Sequence, residues 1–174
     1  MKKILAFDQS LSITGYAVFE DSNLAKFGAI DLHQEKDAWV RTQLMYLKID
    51  HLIASVAPDV VIIEDVALRQ SVKTLIMLAR LQGSMMRAAW TRNIPVYLYP
   101  ASTWRREVGI HQGKDTKRGE LKQLAMELVR QSYGITVKND VAEAICIGLC
   151  HLKREGVLPV EEHPLIHLPT NVVG

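Results

Sequence analysis

The sequence is poor in cysteine, in aromatic residues and in long apolar runs. Of its 174 residues, two are cysteines and 6% are aromatic, although 48% are hydrophobic. No apolar run is long enough to span a membrane, and Ile4–Phe7 is too short for the core of a secretory signal. Two cysteines cannot build a disulfide framework or, without histidines, a zinc site. We therefore expect one reduced, cytoplasmic domain with a single core.

The sequence also has little excess of positive over negative residues. The formal net charge is +2, a value shared by many enzymes that never meet nucleic acid, so the total charge selects no class of partner. The distribution of charged residues along the chain is more informative than their sum.

The first informative stretch is Ile4–Phe19, ILAFDQSLSITGYAVF. Its first four residues form a continuous apolar run, which is typical of a strand covered on both faces. Asp8 follows directly, and an unpaired carboxylate at the end of a buried strand is costly. Asp8 is therefore predicted to cap a turn, to form an ion pair or to hold a metal.

The rest of the chain alternates between strand and helix patterns. Strands are predicted at residues 4–7, 16–19, 25–32, 60–63 and 95–99, and helices at residues 35–56, 72–90, 120–131 and 140–152. Residues 101–119 are predicted to be a polar loop. This order predicts an α/β fold with a five-stranded mixed sheet, three antiparallel strands and then parallel ones, and helices on both faces. The domain is expected to span residues 1–156, with an irregular tail over 157–174.

Acidic residues recur where these elements end or begin. The β-branched run Val60–Ile63 leads into Glu64, as the first strand leads into Asp8. Asp140 and Glu143 lie three residues apart in the first turn of the last predicted helix, where they share a face. Acids also suit a helix N-terminus electrostatically. If the four carboxylates instead share one site, their repulsion favours hard divalent cations such as Mg²⁺ or Mn²⁺.

Three motifs together resemble the RuvC family of Holliday junction resolvases, whose fold is RNase H-like. They are ILAFDQSLSITGYAVF, VVIIEDV and NDVAEAICIGL, within residues 3–152. The resemblance implies that Asp8, Glu64, Asp140 and Glu143 are the catalytic and metal-binding residues. It also implies two ions per site, a homodimer, a four-way-junction DNA substrate and a bacterial cytosolic or phage-encoded protein.

Two positions differ from the family pattern. The last acid is usually Asp and is Glu143 here, and the stacking aromatic of the better-known bacterial members is replaced by Ala67.

A set of cations flanks the predicted site in sequence, and such residues can contact DNA phosphates or simply be solvated. The candidate DNA-binding residues are Arg69, Lys73, Arg105, Arg106, Lys114, Lys117, Arg118 and Lys122.

Other functions remain open at this point. The chain is alternatively a nuclease of the same fold that acts on RNA or on other branched DNA, or a DNA-binding module without catalysis. Half of an actin-like ATPase or sugar kinase also begins with a strand, Asp and a small-residue turn. That fold needs two such domains, which 174 residues cannot supply.

Overall fold

The structure is a computed structural model that describes residues 2–67, 71–111, 113 and 116–156. The predicted tail over 157–174 and the candidate residues Arg69 and Lys114 lie outside the described residues. Among the described helices, none is both long and apolar enough to cross a membrane.

A five-stranded mixed sheet forms the centre of the molecule. Its strands are β1 (Lys3–Asp8), β2 (Ile13–Glu20), β3 (Asn23–Asp31), β4 (Val60–Glu64) and β5 (Val96–Tyr99). They lie in the order β3-β2-β1-β4-β5. The first three strands are antiparallel, and β4 runs parallel to both β1 and β5. The predicted fold class is confirmed.

Helices cover both faces of this sheet. They are α1 (Ala38–Val56), α2 (Val72–Trp90), α3 (Ala101–Glu107), α4 (Arg118–Tyr133) and α5 (Asn139–Arg154). Apolar residues of α1 and α2 pack on one face of the sheet, and those of α3, α4 and α5 on the other. The two cysteines lie buried and free in α5, as predicted.

Strands β1 and β4 are central because their residues are apolar on both faces. In β1, Ile4 and Ala6 enter one core while Leu5 and Phe7 enter the other. All four are at most 1% exposed. Since β1 and β4 are parallel neighbours, their carboxyl ends meet at one edge of the sheet, which brings Asp8 and Glu64 together.

The loop predicted over residues 101–119 is wrong in its first part, because residues 101–107 form helix α3. Asn is a common N-cap, but Asn139 is the first helical residue of α5 and follows Lys138. In α1 the buried residues include Met45 and Ile49, whereas Leu47 is 54% exposed.

Exposed Gly83 of α2 is not in close contact with another element of the described residues. A Cβ atom placed on this glycine would meet none of their atoms within 4 Å. The core of the chain therefore does not require glycine there.

Candidate active site

A cleft of about 530 Å³ lies at the carboxyl edge of the sheet. Its walls come from the ends of β1 and β4, the turn after β1, and the N-terminal parts of α1, α2, α4 and α5. The four predicted acids line it together: Asp8, Glu64, Asp140 and Glu143. The structure therefore brings all four carboxylates into one concave site, although they are up to 135 residues apart in sequence (8 to 143).

The turn after β1 fixes the backbone around Asp8. The Ser10 amide donates to Thr14 Oγ1 at 3.1 Å, and the Thr14 hydroxyl donates back to the Ser10 carbonyl at 2.9 Å. Asp8 is paired in register with Gly15 of β2. A Cβ atom at Gly15 would overlap the carbonyl oxygen of Asp140. Glycine thus lets the N-terminus of α5 lie directly against the β1–β2 hairpin.

Glu64 is held at both its backbone and its side chain. Its carbonyl oxygen accepts hydrogen bonds from the side-chain amides of Gln9, at 3.2 Å, and Gln82, at 3.0 Å. Its Oε2 accepts a hydrogen bond from Trp104 Nε1 at 2.8 Å. Glu64 is 8% exposed, and these three donors come from three different parts of the chain.

Asp140 lies in the first turn of α5, as predicted, whereas Glu143 lies at the start of the second turn, three residues further along the helix. Glu143 is buried and forms an ion pair with Arg105 of α3, with Nη2 3.1 Å from Oε1. The side chains of both partners are 7% exposed. A buried carboxylate without such a partner would be strongly unfavourable.

Burial and the closeness of the four acids raise the pKa values of two of them. Burial raises the pKa of Asp8 well above its ordinary value, and the charges of Glu143, Glu64 and Asp140 raise it further. Burial and Glu64 also raise the pKa of Glu143, while Arg105 opposes that shift. Lys122 lowers the pKa of both carboxyls. The acids therefore disfavour one another's charged forms.

The chemistry of this donor set fits a hard divalent cation, because it consists of carboxylate oxygens whose repulsion a cation would relieve. In the part of the chain that the structure describes, no three acidic, histidine or cysteine side chains are arranged around one point as metal ligands. Two of the four acids have a carboxylate oxygen in contact with a protein donor, since Trp104 donates to Glu64 and Arg105 donates to Glu143.

The candidate DNA-binding residues divide into three groups. Arg118 and Lys122 of α4 line the cleft. Lys73, Arg106 and Lys117 are exposed outside it. Arg105 is 6% exposed and ion-paired inside the protein, so its position does not match a surface contact with the DNA backbone.

Sequence reasoning missed Arg41, which also lines the cleft. It lies in α1, on the opposite face of the sheet from Arg118 and Lys122. Its Nη1 donates to the Glu35 carbonyl at 2.8 Å, and its buried Nε has no partner among the described residues. Nothing in the sequence distinguished Arg41 from the other cations of α1, because only the fold brings that helix to the cleft.

A mixed sheet in this order, with acids at the ends of β1 and β4, is the architecture of an RNase H-like nuclease. Comparison with known proteins agrees. The family model for crossover junction endodeoxyribonuclease RuvC matches residues 4–151. The chain is 28% identical over 156 residues to the protein of that name from Trichlorobacter lovleyi, covering 86% of this chain and 84% of the relative. The RuvC of Clostridioides difficile is 26% identical over 152 residues, with coverage of 85% and 88%.

Solved structures share the fold at lower identity. T. thermophilus RuvC in complex with a Holliday junction substrate matches with a TM-score of 0.70 and 16% identity, covering 90% of this chain and 98% of that one. Fowlpox virus resolvase, solved with Holliday junction DNA, matches with a TM-score of 0.62 and 15% identity, covering 88% and 98%.

The chain belongs to the RuvC family of crossover junction endodeoxyribonucleases, because the family model covers most of its length. Membership implies a hydrolase that cuts DNA and depends on a divalent metal.

Proposed function

We propose that this protein resolves four-way DNA junctions by hydrolysing phosphodiester bonds symmetrically in two strands, with Asp8, Glu64, Asp140 and Glu143 as the catalytic carboxylates. The observation that carries the proposal is the meeting of these acids in one cleft. Burial and mutual repulsion there raise the pKa of Asp8. Isolated caps or turn acids would not share a cleft or shift one another's pKa.

The same four residues are proposed to hold Mg²⁺ or Mn²⁺, with two ions in each site. When bound, such a pair supplies activation of water and stabilisation of the leaving oxygen. The chain itself contributes the rigid end of β1, which places Asp8, and the three donors that fix Glu64. Lys122 adds a positive charge beside the acids and so reduces their repulsion of a phosphate.

The proposal predicts metal-dependent nicking of a synthetic four-way junction. With Mg²⁺, the protein should cut opposing strands and leave 5′-phosphate ends, whereas EDTA should abolish cutting because the carboxylates alone cannot activate water. Linear duplex and hairpin RNA serve as control substrates. Nicking that persists in chelator, or that prefers the hairpin RNA, would overturn the proposal.

Phosphate contacts are proposed for the exposed cations at the mouth of the cleft. Arg118 lines the cleft and its neighbour Lys117 is exposed beside it. Arg41 enters the same cleft from the other face of the sheet, so a DNA strand lying in the cleft would have cations on both sides. Lys73, Arg106 and Lys122 remain proposed contacts, together with Arg69 and Lys114.

Replacing Lys117 and Arg118 together by Ala should weaken junction binding and lower the salt slope of log affinity by about two, since each lost phosphate contact removes about one. Fluorescence anisotropy over a salt series measures both quantities. Arg130→Ala is the matched control, because Arg130 lies on the same helix but is paired with Glu127 at 2.6 Å. An unchanged slope in the double variant would place these side chains in solvent.

A homodimer is also proposed. The α1–α2 face, defined as the exposed apolar side chains in the N-terminal halves of these two helices, consists of Trp39, Val40, Leu44, Leu47, Val72 and Ile76. The two helices are joined there by Arg80, whose guanidinium lies 5.2 Å from the Trp39 ring centroid. Exposed Gly83 continues the same side of α2 and would let a partner helix approach closely. Two-fold symmetry in the protein would match the two cuts that resolution requires.

A further inference from the structure

Helix α3 holds both glutamates of the cleft through two consecutive residues. Trp104 donates its indole N–H to Glu64, and Arg105 pairs with Glu143, at 2.8 and 3.1 Å. This helix was predicted as loop, and it lies on the same face of the sheet as α5. A seven-residue helix is too short to be stable alone, so its position depends on these buried contacts.

Arg105 is built into the interior rather than placed on the surface. Its side chain is 7% exposed, and its guanidinium lies 4.7 Å from the centroid of the Trp104 ring. Its Nε is buried without a hydrogen-bond partner among the described residues. Arginine cannot lose its proton in a protein, so a permanent positive charge lies in contact with one acid of the cleft.

The positive charge of Arg105 stabilises the ionised form of Glu143, as a metal cation in the cleft would. A carboxylate that accepts a charge-assisted hydrogen bond from a guanidinium is stabilised in its ionised form and has one oxygen occupied. The same oxygen cannot be fully available to a metal ion. A divalent cation beside Glu143 would also repel the guanidinium, because both are positive and the site excludes most water.

We infer that Arg105 is an internal counter-ion that neutralises Glu143 in the metal-free protein and competes with the divalent cation for that carboxylate. The inference rests on the proposed function, because it concerns the same four acids. On this reading Arg105 is a positioning residue that sets how tightly the site binds metal. It also keeps the buried acid paired when no ion is present.

The test is the affinity for Mn²⁺ in the absence of DNA, measured by calorimetry on wild type and on Arg105→Gln. Gln keeps hydrogen-bond donors beside Glu143 but removes the charge. The variant should bind Mn²⁺ about tenfold more tightly or better. A neighbouring arginine changes the proton affinity of a carboxylate by about one to three logarithmic units, and we expect its effect on the affinity for another cation to be of similar size. In EDTA the variant should melt below wild type.

Two further variants separate charge from packing. Arg105→Lys keeps the charge and should bind Mn²⁺ with an affinity closer to that of wild type than to that of Arg105→Gln. Arg106→Gln is the neighbouring control, because Arg106 is 73% exposed and only 3.8 Å from Glu107, and its Mn²⁺ affinity should be unchanged. Equal or weaker Mn²⁺ binding by Arg105→Gln would overturn the inference and make Arg105 a support for the bound ion.

A measurement on wild type guards against misfolding of the variants. The indole N–H signals of Trp39, Trp90 and Trp104 can be followed by NMR during titration with Mg²⁺. Movement of α3 when Arg105 is released should shift the Trp104 signal and leave those of exposed Trp39 and Trp90 in place. A Trp104 signal that stays fixed while Mg²⁺ binds would overturn the inference. If wild type binds no divalent ion at all, the proposed function fails instead.

Discussion

Asp8→Asn is expected to abolish nicking of four-way junctions and, in EDTA, to raise the melting temperature. Two unit charges about 4 Å apart at an effective dielectric near 20 repel by roughly 4 kcal/mol before relaxation. The acids of the cleft titrate as a group, and partial protonation reduces that repulsion. Asn keeps the shape of Asp8 and removes its charge, so the metal-free fold should gain stability while the proposed metal site is lost.

The pH dependence has a definite sign. The pKa of Asp8 is raised above its ordinary value of 3.8, chiefly by burial, so the folded protein holds this proton when the unfolded chain has released it. The unfolded chain then binds fewer protons than the folded protein. The free energy of unfolding must therefore fall as the pH rises from about 3.8, the ordinary pKa, through the raised pKa of the folded state. In EDTA this decline should be weaker in Asp8→Asn, as measured by thermal melts over a pH series.

Asp37→Ala is the matched control for this experiment. Asp37 caps α1 by accepting hydrogen bonds from the amides of Trp39 and Val40, at 2.8 and 3.0 Å. Its loss should lower stability by about 1 kcal/mol and leave nicking intact, the opposite of both effects expected at Asp8. If Asp8→Asn melts below wild type in EDTA and still nicks with Mg²⁺, Asp8 is a structural residue and the proposed site is wrong.

Ile76→Glu is expected to convert the protein from dimer to monomer and to uncouple the two cuts. Ile76 is 44% exposed on the α1–α2 face, where a buried charge on each side of a two-fold interface would be unpaired and opposed by its copy. Sedimentation gives the oligomeric state. A cruciform plasmid shows whether both strands are cut within one binding event or as separate nicks.

Phe27→Glu provides the control for a surface charge of the same kind. Phe27 is 39% exposed on β3, away from the α1–α2 face, so this variant should remain dimeric and make paired cuts. A dimer of unchanged affinity in Ile76→Glu would move the interface elsewhere, and a wild-type protein that sediments as a monomer while making paired cuts would remove the dimer proposal.

The sheet and the position of the acids were predictable because they depend on continuous apolar runs. Val60–Ile63 and Ile4–Phe7 are buried on both faces, and a strand that is covered twice has little alternative but the centre of a sheet. The parallel pairing of β1 and β4 then places Asp8 and Glu64 at one edge. Helix α2, predicted over residues 72–90, has those bounds in the structure.

Features that depend on distant partners were not predictable. The sequence ASTWRRE of α3 has no helical periodicity strong enough to detect, and its stability comes from burying Trp104 and from contacts with residues about forty positions away. The inward direction of Arg105 depends on Glu143, and an arginine is usually exposed. The core stripe of α1 is also hard to identify from the sequence, because its exposed stripe, which includes Leu47, is apolar as well.

The contact of Gly15 with the backbone of Asp140 has a consequence for how the protein binds metal. Asp8 is paired with Gly15 in the hairpin, and Gly15 lies against the first turn of α5, so two acids are joined through main chain rather than through movable loops. They cannot spread apart to relieve their repulsion. Most of the main-chain reorganisation that ion capture ordinarily requires is therefore completed during folding, and what remains is the turning of the glutamate side chains and the release of Arg105 from Glu143.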